Sequence, residues 1–115
     1  VLVLPHIVDR MEKINNDGAI MFAKLMRVFN ENQLRVFGFA GAPLHDPVTI
    51  AYLIDPSLLD IKHVHCEIDI SHGSSYGRTN CDMFGYLELQ SNTYVAQNIN
   101  VEKFWDIIED ALKRY

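Results

Sequence analysis

The feature that most constrains the fold of this chain is a loop rich in glycine and proline that leads directly into an apolar helix, at residues 37–55. Gly38 and Gly41 allow backbone angles that other residues avoid. Asp46, followed by proline, has the composition of a helix start, with the aspartate at the N-cap and the proline at the first helical position. The pattern predicts that the loop holds His45 immediately before the helix.

His45 and Asp46 admit two interpretations. In the first, Asp46 only caps a buried helix and His45 is a surface histidine. In the second, a hydrogen-bonding carboxylate and an imidazole, a group that titrates near neutral pH, lie together at the mouth of a cleft. Spacing alone favours the first interpretation, because Asp-Pro helix caps are common. A functional interpretation therefore needs support from the rest of the chain.

The remaining segments alternate between helical and strand patterns. Apolar residues at helical spacing predict an amphipathic helix over residues 19–36, and strict alternation over residues 62–70 predicts a half-buried strand. Asn100 is expected to cap the last helix, and Trp105 on the apolar side of that helix is expected to be a core residue. The other predicted elements are a helix at 5–14, strands at 78–83 and 93–99, and the last helix at 101–112.

The chain has two cysteines, Cys66 and Cys81, which are too few for a disulfide framework. They are expected to be neighbours across a strand pair and to remain buried free thiols. His63 and His65 share one face of the first predicted strand, which raises the possibility of zinc binding. Strand alternation directs Cys66 to the opposite face, so too few ligands converge for such a site.

Three separated segments carry a family resemblance. In chain order they are residues 41–56 (GAPLHDPVTIAYLIDP), 76–82 (YGRTNCD) and 101–112 (VEKFWDIIEDAL). Together they resemble the C-terminal region of the inosine-uridine-type nucleoside hydrolases. The resemblance implies an α/β fold: the C-terminal part of a Rossmann-like nucleoside hydrolase fold, with helices and a small antiparallel strand unit beside the main sheet. Residues 1–115 are then one portion of a single domain.

Enzymes of this family open with an aspartate cluster that is not found in this sequence. The chain is therefore expected to correspond to the last third of such an enzyme. The function that the resemblance implies is hydrolysis of the N-glycosidic bond of ribonucleosides, with a preference for uridine and cytidine, to give ribose and the free base. The rival hypothesis is a truncated, non-catalytic fragment that only binds or packs.

The resemblance also assigns roles to residues. Asp46 is implied to be a calcium ligand, and the N-terminal aspartates would supply other carboxylates, because Ca²⁺ takes about 6–8 oxygen ligands. His45 is implied to be catalytic, beside the leaving base. Two roles stay open for it: a general acid, or a neutral imidazole that acts through a water or orients the base. Gln33 and Phe37, one helical turn apart, are implied to bind the base with His45, although several members carry a tyrosine where Phe37 stands.

Charge and hydropathy limit the partners. The net charge is −5, and no cluster of lysine and arginine offers the positive surface that nucleic acids require. No apolar run has the length of about 20 residues that a membrane span needs. A ribonucleoside is the expected small-molecule partner, a homo-oligomer (dimer or tetramer) is the expected assembly, and the cytoplasm is the expected compartment.

Overall fold

A computed structural model describes all 115 residues of the chain. It divides into two compact units, the first formed by residues 1–58 and 100–115 and the second by residues 59–99. No helix has the length and apolar character needed to cross a membrane. The elements are β1 (Leu2–Val3), α1 (Pro5–Glu12), α2 (Asp17–Phe37), β2 (Ala42–Pro43), α3 (Asp46–Ile54), a 3-10 turn (Pro56–Leu58), β3 (Leu59–Ile68), β4 (Thr79–Asp82), β5 (Thr93–Ile99) and α4 (Val101–Leu112).

The helices of the first unit are joined at their ends by side chains. Asn16 caps α2, since its Oδ1 accepts a hydrogen bond from the Ala19 amide at 2.8 Å. Its Nδ2 donates to the carbonyl of Leu112 at the end of α4, also at 2.8 Å. Arg10 on α1 binds Asp106 and Glu109 on α4. Two points of α4 are thereby fixed to the preceding helices.

The core of the first unit lies among α1, α2 and α4. Trp105 is 1% exposed, which confirms its prediction as a core residue. Its ring meets that of Phe104 edge to face, with centroids 5.0 Å apart. The buried apolar side chains of the unit are Val3, Ile7, Val8, Met11, Ala19, Ala23, Ala42, Ala51, Leu58, Phe104 and Trp105.

The long helix α2 differs from its prediction in the side that it buries. Ala19 and Ala23 are buried, whereas the larger apolar residues Met21, Leu25 and Val28 are all more than half exposed. The predicted helix is therefore confirmed, but no element of this chain covers its apolar stripe. The small side chains face inward because α1 packs closely against α2.

A two-stranded sheet that the sequence did not predict joins the start of the chain to the glycine-proline loop. Leu2 pairs with Pro43, and Val3 pairs with Ala42, in antiparallel register. Gly41 is required here, because a Cβ at this position would lie 2.6 Å from the carbonyl oxygen of Val3. The strands have two residues each, which is too short for a periodic signal.

The second unit is an antiparallel sheet of three strands in the order β4-β3-β5. The predicted antiparallel strand unit is confirmed, and β5 has the predicted bounds. The strand β3 runs from Leu59 to Ile68 instead of the predicted 62–70. It ends earlier because the carboxylate of Asp69 accepts hydrogen bonds from the amide and hydroxyl of Ser71, which turns the chain.

Candidate active site

His45 and Asp46 lie where β2 passes into α3, and both are exposed. The helix begins at Asp46, so the N-cap position belongs to His45, and the prediction of Asp46 as the N-cap is wrong by one residue. The cause is the backbone of His45, which already has helical angles, φ −91° and ψ −49°. The carbonyl of His45 accepts the amide of Val48 at 3.1 Å, and that of Asp46 accepts the hydroxyl of Thr49 at 2.7 Å.

The side chains of His45 and Asp46 are both free of protein partners. Neither caps the helix, and neither takes part in a side-chain hydrogen bond or an ion pair. The carboxylate of Asp46 lies in the first turn of α3, where unpaired backbone amides favour a negative charge. An exposed imidazole and an exposed carboxylate are therefore adjacent and available to a ligand.

Asn30, in the middle of α2, holds the strand pair that leads to His45. Its Nδ2 donates to the carbonyl of Val3 on β1 at 2.8 Å, and its Oδ1 accepts the amide of Ala42 on β2 at 2.7 Å. A further bond joins the Leu44 amide to the carbonyl of Val1 at 2.9 Å. These contacts define the path of the loop up to the residue before His45.

Sequence reasoning missed Asn30. The available signal was its residue type, because asparagine is a poor helix former and needs a reason to stand inside a long helix. Its partners were not predictable, since both are backbone groups of strands that left no pattern in the sequence.

Gln33 and Phe37 are both helical, which agrees with their predicted spacing of one turn on α2. Gln33 is half-buried and Phe37 is 61% exposed. The ring of Phe37 stacks on Phe39 beyond the helix end, with centroids 5.7 Å apart. No hydrogen bond joins either residue to His45 or Asp46. Gln33 and Phe37 thus lie near the end of α2, and His45 and Asp46 lie at the start of α3, with no hydrogen bond between the two pairs.

An apolar groove adjoins the site. It has a volume of about 560 Å³ and lies between α3 and α4, with Ile50, Ile54, Ile107 and Ile108 among its lining residues. Asp46 is its one charged lining residue. A ribose presents several hydroxyl groups that require hydrogen-bond partners when they leave water. This groove offers few such partners, and the residues implied to bind the base do not line it.

The described residues contain no group of three or more histidine, cysteine, aspartate or glutamate side chains that is arranged to hold a metal ion. Asp46 offers a single carboxylate, whereas calcium takes about 6–8 oxygen ligands. The side chains of this chain alone therefore do not fit a calcium ion. They fit at most one part of a coordination shell.

Comparison with known proteins gives a consistent result. A family model described as inosine-uridine preferring nucleoside hydrolase matches residues 1–106. The pyrimidine-specific ribonucleoside hydrolase RihB of Shigella flexneri is 33% identical over 111 residues, covering 96% of this chain and 36% of that protein. The corresponding protein of Shigella sonnei is 34% identical over 111 residues, with coverage of 96% and 36%. The chain thus spans about a third of the length of these relatives.

The fold also matches a solved structure, the purine-preferring ribonucleoside hydrolase from Gardnerella vaginalis. The TM-score is 0.80 at 20% sequence identity, covering 100% of this chain and 38% of that chain. At this identity the likeness shows the fold alone. It confirms the expected α/β class and the expected similarity to a nucleoside hydrolase fold.

Proposed function

Because the chain belongs to the inosine-uridine preferring nucleoside hydrolase family, we propose that the protein hydrolyses the N-glycosidic bond of ribonucleosides to ribose and free base, in nucleoside salvage. The observation that carries the proposal is the adjacent pair of His45 and Asp46, exposed and unpartnered at the start of α3. Both side chains are therefore open to a bound nucleoside.

In the proposed reaction, a water attacks C1′ of the ribosyl group while the bond from C1′ to the base nitrogen breaks. The ribosyl centre develops oxocarbenium character, as in sugar hydrolysis generally. An aspartate outside this chain takes the proton of the water. His45 donates a proton to the departing base, since imidazole is well suited to general acid catalysis near neutral pH. The base then leaves as a neutral molecule.

The same proposal gives Asp46 a role in metal binding. Asp46 contributes one carboxylate to a calcium site whose other ligands lie outside this chain. When bound, calcium would orient the attacking water and the ribose hydroxyls. The support for this role is the unpaired state of the Asp46 carboxylate at a helix N-terminus, where no protein cation competes for it.

We further propose that the base is a pyrimidine, so that uridine and cytidine are preferred over inosine. The support is the pyrimidine specificity of the two RihB relatives, which are 33% and 34% identical to this chain. Gln33 and Phe37 are proposed to contact the base together with His45. The enzyme is proposed to act in the cytoplasm as a homo-oligomer, which is consistent with its two free cysteines and its exposed apolar residues.

The deciding experiment uses the protein encoded by the intact gene. Its intact mass and the sequence of its gene show whether residues precede Val1 and include an aspartate cluster, and ribose release is measured with uridine, cytidine and inosine. We expect release of ribose in the presence of calcium, fastest with the pyrimidine nucleosides, and loss of activity after chelation. A folded protein that binds nucleosides without releasing ribose would instead support the non-catalytic fragment.

A further inference from the structure

The two cysteines of the chain face each other across β3 and β4, outside the candidate active site. Cys66 pairs with Cys81 in the antiparallel register, and their Sγ atoms are 3.2 Å apart. Both thiols are free, as predicted, and both are half-buried instead of fully buried. The 115 residues contain no other cysteine, so each is the only cysteine partner of the other within this chain.

We propose that Cys66 and Cys81 form a dithiol modification site that takes an oxidant of the disulfide class, such as oxidised glutathione, and closes to a cross-strand disulfide.

The backbone geometry favours this closure. The side chain of Asn92 accepts the Cys66 amide at 2.9 Å and donates to the Cys66 carbonyl at 3.0 Å. Both backbone groups of Cys66 are thereby bound to the residue that precedes β5 and not to β4. Cys66 and Cys81 are therefore a non-hydrogen-bonded pair, in which the Cα atoms of an antiparallel ladder approach to about 4.5 Å.

The sulfur atoms need little movement to bond. A Cα separation of about 4.5 Å lies at the short end of the range found for disulfides, about 4.4–6.8 Å. The Sγ atoms, now 3.2 Å apart, have to approach by about 1.2 Å to reach the bond length of about 2.05 Å. Rotation about χ1 of one or both cysteines supplies a shift of this size while the strand register is kept.

Access from solvent distinguishes the two thiols. Cys81 lines a surface groove of about 250 Å³ together with Asn80, Asp82 and Tyr86, whereas Cys66 does not line it. The hydrogen bond between Cys66 and Cys81, followed by burial, raises the pKa of Cys66, so Cys66 rests as a thiol at neutral pH. Cys81 is therefore the thiol that reacts with the oxidant, and Cys66 is the thiol that then attacks the resulting mixed disulfide.

The reaction proceeds in two exchange steps. The thiolate of Cys81 attacks one sulfur of oxidised glutathione, which forms a mixed disulfide and releases one glutathione thiolate. The thiolate of Cys66 then attacks the Cys81 sulfur and releases the second glutathione thiolate. In sum, two protein thiols lose two electrons, the oxidant is reduced to two molecules of glutathione, and the two cysteine protons pass to the glutathione thiolates. Because the second step is intramolecular, it benefits from a high effective concentration.

The test treats the folded protein encoded by the intact gene with oxidised glutathione, stops the reaction with acid and maps the peptides that contain Cys66 and Cys81 by mass spectrometry. We expect an intramolecular link between Cys66 and Cys81, with the loss of two hydrogens and no accumulated glutathione adduct. Cys66→Ser, which keeps the accessible thiol, should accumulate the adduct at Cys81. Cys81→Ser should accumulate an adduct at Cys66 roughly tenfold more slowly, because the remaining thiol does not line the groove that admits the oxidant.

The wild-type chain unfolded in urea is the control that does not depend on how the variants fold. Unfolding removes the alignment of the two strands, so closure should slow and glutathione adducts should accumulate. The proposal is overturned if the folded chain accumulates adducts on both cysteines, forms disulfide-linked dimers or stays unmodified under conditions that oxidise the unfolded chain. Equal closure rates in the folded and unfolded chains would also overturn it.

Discussion

At the scale of single residues, the candidate site consists of side chains that form no hydrogen bond or ion pair with the rest of the protein. His45 and Asp46 have no protein partners, whereas Asn30 uses both ends of its amide to hold the strands before them. The first two are therefore open to replacement without structural damage, and the third is not. This contrast separates variants that test chemistry from variants that test folding.

The first prediction concerns the proton that the leaving base requires. In the protein encoded by the intact gene, His45→Ala should lower kcat for uridine by about 10²–10⁴-fold, because the lost proton transfer belongs to the transition state. A riboside with a nitrophenolate leaving group, which departs without a proton, should be hydrolysed almost as fast as before. Steady-state kinetics with both substrates measures the difference.

The matched control for His45 is His6→Ala, since His6 is also an exposed histidine at the start of a helix, α1. It should leave both substrates unaffected. If His45→Ala slows the two substrates equally, His45 positions the substrate, and its assignment as a general acid is wrong.

The second prediction concerns the carboxylate of Asp46. In the protein encoded by the intact gene, Asp46→Asn should weaken calcium binding and lower turnover together, because an amide lacks the negative charge that calcium prefers. The fold should survive, since the carboxylate forms no hydrogen bond in the structure. Calorimetric titration with calcium and ribose release from uridine measure the two effects.

Asp17→Asn provides the comparison for Asp46, because Asp17 is likewise an exposed aspartate in the first position of a helix, α2. Asp17→Asn shows the effect of removing a negative charge from a helix N-terminus and nothing else. We expect it to lower the free energy of unfolding by about 0.3–1 kcal/mol. Unchanged calcium affinity in folded Asp46→Asn would leave Asp46 with only this helix-end role.

At the scale of elements, the periodic segments were predictable and the short or irregular ones were not. α4 has the predicted bounds and Asn100 caps it, because a twelve-residue helix repeats its apolar pattern several times. The strands β1 and β2 have two residues each and are too short to show an alternating apolar pattern. The start of α3 was misplaced by one residue because the backbone angles of His45, not its side chain, set the boundary.

The third prediction belongs to the contact between α2 and the β1–β2 pair. Asn30→Ala leaves the Val3 carbonyl and the Ala42 amide without their side-chain partner, and both residues are fully buried. We expect a loss of about 1–3 kcal/mol in the free energy of unfolding. Urea unfolding of the protein encoded by the intact gene, followed by circular dichroism, measures the loss.

Asn32→Ala controls for the change in helix propensity, because Asn32 lies on the same helix and is exposed. Its only side-chain hydrogen bond is the exposed one that it accepts from Arg35. This variant should be neutral or slightly stabilising. Equal effects of the two substitutions would show that the contacts of Asn30 do not hold the strands.

At the scale of the whole molecule, the chain exposes many large apolar side chains. The exposed apolar residues include the stripe of α2 and much of α3. Soluble monomers rarely expose contiguous apolar patches of more than a few hundred Å². The sequence predicted these apolar faces correctly, but the elements that cover them could not be found within the 115 residues.

The fourth prediction follows from this exposure. The 115 residues produced alone should associate or unfold without a sharp transition, because the apolar faces gain stability only when they are covered. Analytical ultracentrifugation and thermal melting test this directly. A monodisperse monomer of 13.2 kDa with a cooperative melt would contradict the prediction.

The chain leaves the first unit at Leu58 and returns to it at Asn100, where the Asn100 amide donates to the Leu58 carbonyl at 3.0 Å. Residues 59–99 therefore start and finish at one point, in the manner of a cassette. A short glycine-rich bridge between the two positions can replace the cassette without stretching the backbone on either side. A different insert could in this way be joined to the helices between Leu58 and Asn100. The position would serve as a site for exchanging the second unit while the first unit is kept.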